Sequence, residues 1–143
     1  MVEVILVVVI IATLAAVAVP RFSNTLTRQR VEAAARRIVA DLALAQRQAR
    51  TTNASQTVSF TLGTHEYTLI DMPHPDHPSL TYKVVLSDEP YRASLVSANF
   101  GGDTDIIFDV FGVPDSGGSV VISVGNQVRT VTVEAVTGRA ARQ

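Results

Sequence analysis

MVEVILVVVIIATLAAVAVP, running from Met1 to Pro20, carries one carboxylate, Glu3, ahead of an apolar run that only Thr13 interrupts before Pro20 closes it. At about 1.5 Å per residue, some sixteen apolar residues make a helix of roughly 24 Å, a little short of a ~30 Å hydrocarbon core. The Val/Ile content would also suit a buried strand, but the run is too long for one uninterrupted strand. The stretch therefore predicts a helix that either inserts in a bilayer or packs against copies of itself. A secretory signal core is disfavoured, because no basic region precedes the run and no small-x-small cleavage pattern follows it.

Beyond Pro20 the pattern becomes that of an amphipathic helix. Val31, Ala35, Ile38, Leu42, Ala45 and Ala49 recur at three- and four-residue spacing, with Arg28, Arg36, Arg47 and Arg50 off the stripe. Glu32 and Arg36 are spaced for an ion pair within the helix. The Ala-rich composition favours one long helix from about residue 2 to about residue 51, with Pro20 expected to kink it. Thr51-Thr52-Asn53 then brings β-branched and turn-forming residues.

From Gln56 the period shortens to two. Val58, Phe60 and Leu62 alternate with polar residues, Gly63-Thr64 turns, and Tyr67 and Leu69 return, a hairpin. The proline-rich segment from Met72 to Ser79 reads as a loop. Further strands are predicted at Tyr82–Leu86, Ser94–Ala98, Asp105–Asp109, Ser119–Val124 and Gln127–Glu134, the last two joined at Gly125-Asn126. The fold class is α+β: a long N-terminal helix packed by its second half on an antiparallel sheet or sandwich. The expected core pairs Ile38 and Leu42 with Phe60, Leu69, Ile107, Val120, Ile122, Val131 and Val133. The chain divides into an apolar segment, 1–20, and a small domain, 21–143, made of a half-helix (about 21–51) and a β-rich part (about 56–136).

The segment from Val2-Glu3-Val4-Ile5-Leu6 to Ala18-Val19-Pro20 resembles the N-terminal methylation region of type IV pilins and type II secretion pseudopilins. Glu3 falls on that family's glutamate and Pro20 on its proline. The motif begins here in mid-pattern, so the gene is expected to continue upstream of Met1 with a leader for prepilin peptidase. In the C-terminal half, Ile106-Ile107-Phe108-Asp109, Gly112-Val113-Pro114, Gly117-Gly118 and Thr137-Gly138-Arg139 are similar to the GspH/FimT branch. The resemblance implies a pilin-like fold and a structural, non-enzymatic subunit that assembles with other pseudopilins or pilins. It places the helix in the bacterial inner membrane as a single pass and the domain in the periplasm. Arg21, Arg28 and Arg30 after the apolar run would by the positive-inside rule give the opposite orientation, and the resemblance is followed here.

The same resemblance makes Glu3 an assembly residue, its implied partner the free amine of a subunit's first residue. A carboxylate at the edge of an apolar tract is costly without such a partner. Other candidates are weaker. His74 and His77, near Asp71 and Asp76, lie in a proline-locked loop with no helix to align the rings, so neither a metal site nor a metal-dependent enzyme is read from them. Asp103-Thr104-Asp105 after Gly101-Gly102 lacks the ligand alternation of a calcium loop and reads as a turn. No cofactor and no catalytic residue is indicated. Arg139 and Arg142 are the candidate nucleic-acid contacts, as in FimT-like pilins of DNA uptake. Two arginines with no lysine or aromatic beside them are few for tracking phosphates, and the formal net charge of −1 adds no general attraction. The primary reading is an H-type minor pseudopilin of type II secretion, the alternative a FimT-like minor pilin.

Overall fold

A computed structural model of the chain describes residues 1–16 and 23–143 in full. Helix α1 spans Val2–Thr52. The break expected at Pro20 lies outside the described residues. At its far end the helix stops at Asn53, whose left-handed backbone (φ 53°) turns its N–H onto the Ala49 carbonyl, a common way to satisfy a last-turn acceptor.

Eight strands follow: β1 (Gln56–Thr61), β2 (Glu66–Pro73), β3 (Thr81–Val85), β4 (Ser94–Phe100), β5 (Asp105–Phe108), β6 (Gly118–Val124), β7 (Gln127–Val133) and β8 (Ala140–Arg142). They form two four-stranded antiparallel sheets, ordered β3-β2-β1-β5 and β4-β6-β7-β8. The stripe Val31, Ala35, Ile38, Leu42, Ala45 and Ala49 is buried, as its spacing requires, and Ala34 joins it. That face of α1 packs on strands of both sheets. Phe60 of β1 contacts Tyr67 in its own sheet (5.5 Å between ring centres) and Phe100 of β4 in the other (5.7 Å), so an aromatic cluster joins the two sheets.

Three expectations need correction. Ile107 is 40% exposed, whereas Ile106 and Phe108 are fully buried. In β5 the core face is the even-numbered one, and a strand's side chains change face at every residue. β2 runs to Pro73, past the start of the expected loop, through an irregularity between Leu69 and Pro73 where Asp71 takes a positive φ of 61°. Gln56, itself buried, donates its side-chain amide to the Ile70 carbonyl at that irregularity. Finally, β8 falls in what reads as a tail: Ala140 and Ala141 pair with Val133 and Thr132, and Arg142 with Val131.

Candidate assembly surface

Every residue of the described N-terminal part of α1, up to Ala16, is exposed. Every large apolar side chain from Val2 to Leu14 is exposed, from 49% at Val7 to 80% at Val2. An apolar surface this continuous on all sides of a helix requires another apolar environment. Glu3 lies in the first turn of α1, where a carboxylate complements the helix dipole. Among the described residues no helix is long and apolar enough to cross a membrane.

What the second half of the helix does is hold the domain to this segment, through three polar clusters. The deepest is around Asp41, only 5% exposed. Its Oδ2 accepts the Tyr67 hydroxyl at 2.6 Å and Arg37 Nε at 2.9 Å, and its Oδ1 accepts the Tyr82 hydroxyl at 3.0 Å. Arg37 also donates to the Tyr82 hydroxyl. One helix turn is thereby fixed to β2 and β3. Burial first, and then the Asp41 charge, push the Tyr67 and Tyr82 hydroxyls above the ordinary tyrosine pKa. Burial opposes the charged form of Arg37, but the Asp41 carboxylate outweighs it and raises the pKa.

At the domain's C-terminal loops a second cluster explains the motif residues. Asp109 Oδ1 accepts Phe111 N (2.9 Å) and Val113 N (2.8 Å), closing a tight turn, the local backbone mimicry that Asp side chains favour. Gly112 sits in that turn at φ 73°, where a Cβ would run into the Arg50 guanidinium. Gln46 Nε2 donates to both Gly112 O and Thr137 O at 2.7 Å, and Arg50 Nε donates to Phe111 O at 2.7 Å. Gly138, at φ 66°, lies against Gln46, Gly112 and Pro114. The separated motifs Asp109, Gly-x-Pro and Thr-Gly-Arg therefore meet at one place, the last two turns of α1.

The third cluster lies toward the N-terminal side of the domain. Glu32 accepts a hydrogen bond from Arg129 Nε at 3.2 Å and forms ion pairs with Arg142 Nε at 2.8 Å and, more loosely, Arg36 Nε at 3.6 Å. Burial raises the Glu32 pKa, yet the Arg129 hydrogen bond and the charges of Arg142, Arg36 and Arg129 overcome this and leave it below the ordinary carboxylate value. Arg142 thus ties β8 to the helix. Arg139 is exposed beside it, bordering a groove with Arg36.

His74 and His77 do come together, their ring centres 5.7 Å apart and His74 5.6 Å from Tyr82. His74 Nδ1 accepts Asp76 N at 3.2 Å. Among the described residues no group of three or more His, Asp or Glu side chains is placed to hold a metal ion. Asp103 exchanges backbone hydrogen bonds with Phe100 across a turn.

Residues 34–137, from the buried helix stripe through the Asp109–Pro114 turn to Thr137, match the family model described as type II transport protein GspH. The chain belongs to the GspH family. Neither the curated proteins nor the solved structures gave a match. The family's matched region contains Asp41, Gln46, Asp109, Gly112 and Pro114, so the first two clusters lie inside it almost entirely. It is a family of structural pseudopilins of type II transport.

Proposed function

We propose that the chain is a minor pseudopilin: a structural subunit whose apolar N-terminal helix inserts in the inner membrane and then packs among other pseudopilin helices, with the domain on the periplasmic side. The observation that carries this reading is the pairing of an exposed, predominantly apolar helical segment with a domain that three polar clusters fasten to the same helix. A helix that transmits assembly contacts has to be held rigidly by the domain it displays.

Within this reading Glu3 sets axial register by pairing with the terminal amine of a neighbouring subunit, and prepilin peptidase processes the precursor. Glu3→Ala tests it. Removing a carboxylate from an apolar tract eases insertion by up to roughly 2–3 kcal/mol, so the variant should remain in the membrane fraction while cross-linking to other pseudopilins and secretion both fall. Undiminished cross-linking would reduce Glu3 to an ordinary helix-start acid. The alternative, a FimT-like minor pilin of DNA uptake, is favoured by Arg139, whose side chain has no protein partner among the described residues. Sub-micromolar duplex binding at physiological salt, abolished by Arg139→Ala with Arg142→Ala, would select it over the secretion reading.

A further inference from the structure

One end of the domain combines three features. The first is a groove of about 640 Å³ between α1 and β7, lined by Arg28, Arg36, Arg129 and Glu32. Arg142 also binds the Glu32 carboxylate. Three of these four guanidinium groups share the single Glu32 carboxylate, so the four leave three positive charges (four minus one). Arg28 has no ion-pair partner among the described residues, and Arg36 is 65% exposed with only its long 3.6 Å contact to Glu32.

The second feature is position. The groove begins about three helical turns after Ala16, where the described apolar segment ends. The β6–β7 turn closes the same end: a Cβ on Gly125 would lie 3.4 Å from Thr27 Cγ2. The third is an exposed apolar side chain beside the charge, Leu26 (38% exposed), spaced three and seven residues before Gln29 and Ala33, which line the groove. Cationic groups with a solvent-exposed apolar neighbour, set where an apolar helix leaves the domain, match the chemistry of a bilayer's headgroup layer.

We propose that this groove binds the phosphate of an anionic phospholipid and seats the rim of the domain on the membrane surface before the subunit is drawn into a filament. The proposal rests on the membrane reading of the apolar helix. Guanidinium groups suit the ligand because they give phosphate oxygens paired, charge-assisted hydrogen bonds. Lipid is favoured over a soluble polyanion because the groove lies on the same helix as the apolar segment and has Leu26 beside it, which a nucleic acid backbone would leave exposed.

The experiment uses the full chain, which contains no cysteine, labelled at Asn126→Cys in the β6–β7 turn. It is mixed with phosphatidylcholine vesicles, with and without about 30% phosphatidylglycerol, that carry a headgroup quencher. Flotation with neutral vesicles reports the apolar helix alone, and failure to float would defeat the membrane reading itself. Given flotation, quenching should be about twofold greater with phosphatidylglycerol and should return to the neutral level on adding salt. Arg28→Gln with Arg36→Gln, two exposed positions that leave the Arg129 and Arg142 bonds to Glu32 in place, should abolish the difference without preventing flotation. Equal quenching in the two vesicle types, or a difference that survives the double variant, would overturn the lipid site while leaving the anchor reading intact. So would reversal by soluble glycerophosphate, which would make it a free-anion site, or by a short DNA duplex at physiological salt, which would make it a nucleic-acid surface.

Discussion

The Tyr67 hydroxyl on β2 donates to Asp41 on α1 at 2.6 Å, inside the core, so the helix is joined to the first sheet by a charge-assisted bond rather than by apolar contact alone. Such bonds are stronger than neutral ones, and a buried carboxylate left without donors is costly. Asp41 has three donors, and its position in the middle of the stripe fixes both the rotation and the height of the helix against β2 and β3.

Asp41→Ala should therefore destabilise the domain by about 3 kcal/mol, near the lower end for breaking a buried pair because Arg37 is 40% exposed and can regain water. Tyr67→Phe removes one donor and leaves the other two, so about 1–2 kcal/mol is expected. Urea denaturation of the three proteins measures both. Equal losses in the two variants would mean that Tyr67 alone carries the cluster.

Gly138→Ala should cost at least about 1–2 kcal/mol from the left-handed backbone alone. Its Cβ would also come 2.6 Å from Gln46 Nε2 and 3.0 Å from Gly112 O. Gln46→Ala leaves the carbonyls of Gly112 and Thr137 without that donor and should cost a comparable amount, about 1–2 kcal/mol. Gly63→Ala is the control, since its Cβ meets nothing within 4 Å, and it should stay within about 0.5 kcal/mol. Thermal melts of the three variants decide the matter, and an unaffected Gly138→Ala would mean that the C-terminal loops are not held by the helix.

Much of this was legible in the sequence. The three- and four-residue spacing of Val31 to Ala49 predicts the buried stripe, and the period-two pattern around Val58 and Phe60 predicts the first hairpin, because each reflects one element's own geometry. What depends on two elements was not. In Ile106-Ile107-Phe108 all three residues are apolar, so no alternation marks which face is inward. β8 is three residues long and exists only because β7 offers an edge. Asp41 could have been noticed: Ala34, Ile38, Asp41 and Ala45 share one helix face, so it is a charge within an apolar stripe. Its partners, Arg37 apart, are 26 and 41 residues away, and no spacing announces them. The Thr-Gly-Arg and Gly-x-Pro motifs were visible, but their meeting at Gln46 was not.

Glu32 gives the domain an acid limit. Its carboxyl titrates lower folded than unfolded, so the stability it contributes is present above the ordinary glutamate value of about 4.5 and is lost as the pH falls through the depressed folded value. Glu32→Gln should abolish this part of the acid dependence and release Arg142 from the helix, visible as faster amide exchange across β7 and β8. High salt should mimic the variant in part, because these side chains are only partly shielded from solvent. An unchanged acid limb in Glu32→Gln would assign the loss to other carboxylates.

The Asp41 cluster gives an alkaline limit of opposite sign. Tyr67 and Tyr82 titrate above the ordinary value of 10 when folded, so the unfolded chain releases their protons first. Their contribution is therefore complete below pH 10 and declines as the pH rises toward the folded values, by up to about 1.4 kcal/mol per pH unit for each tyrosine. Denaturation midpoints followed upward from neutral pH should begin to fall near pH 10, with tyrosinate absorbance appearing together with unfolding rather than before it. In Tyr67→Phe the fall should be shallower, because one of the two titrating groups is gone while Tyr82 remains bonded to Asp41. Tyrosinate absorbance from all three tyrosines in the still-folded protein would contradict the burial of Tyr67 against a carboxylate, and an alkaline limb as steep in Tyr67→Phe as in the parent would place its origin outside this cluster.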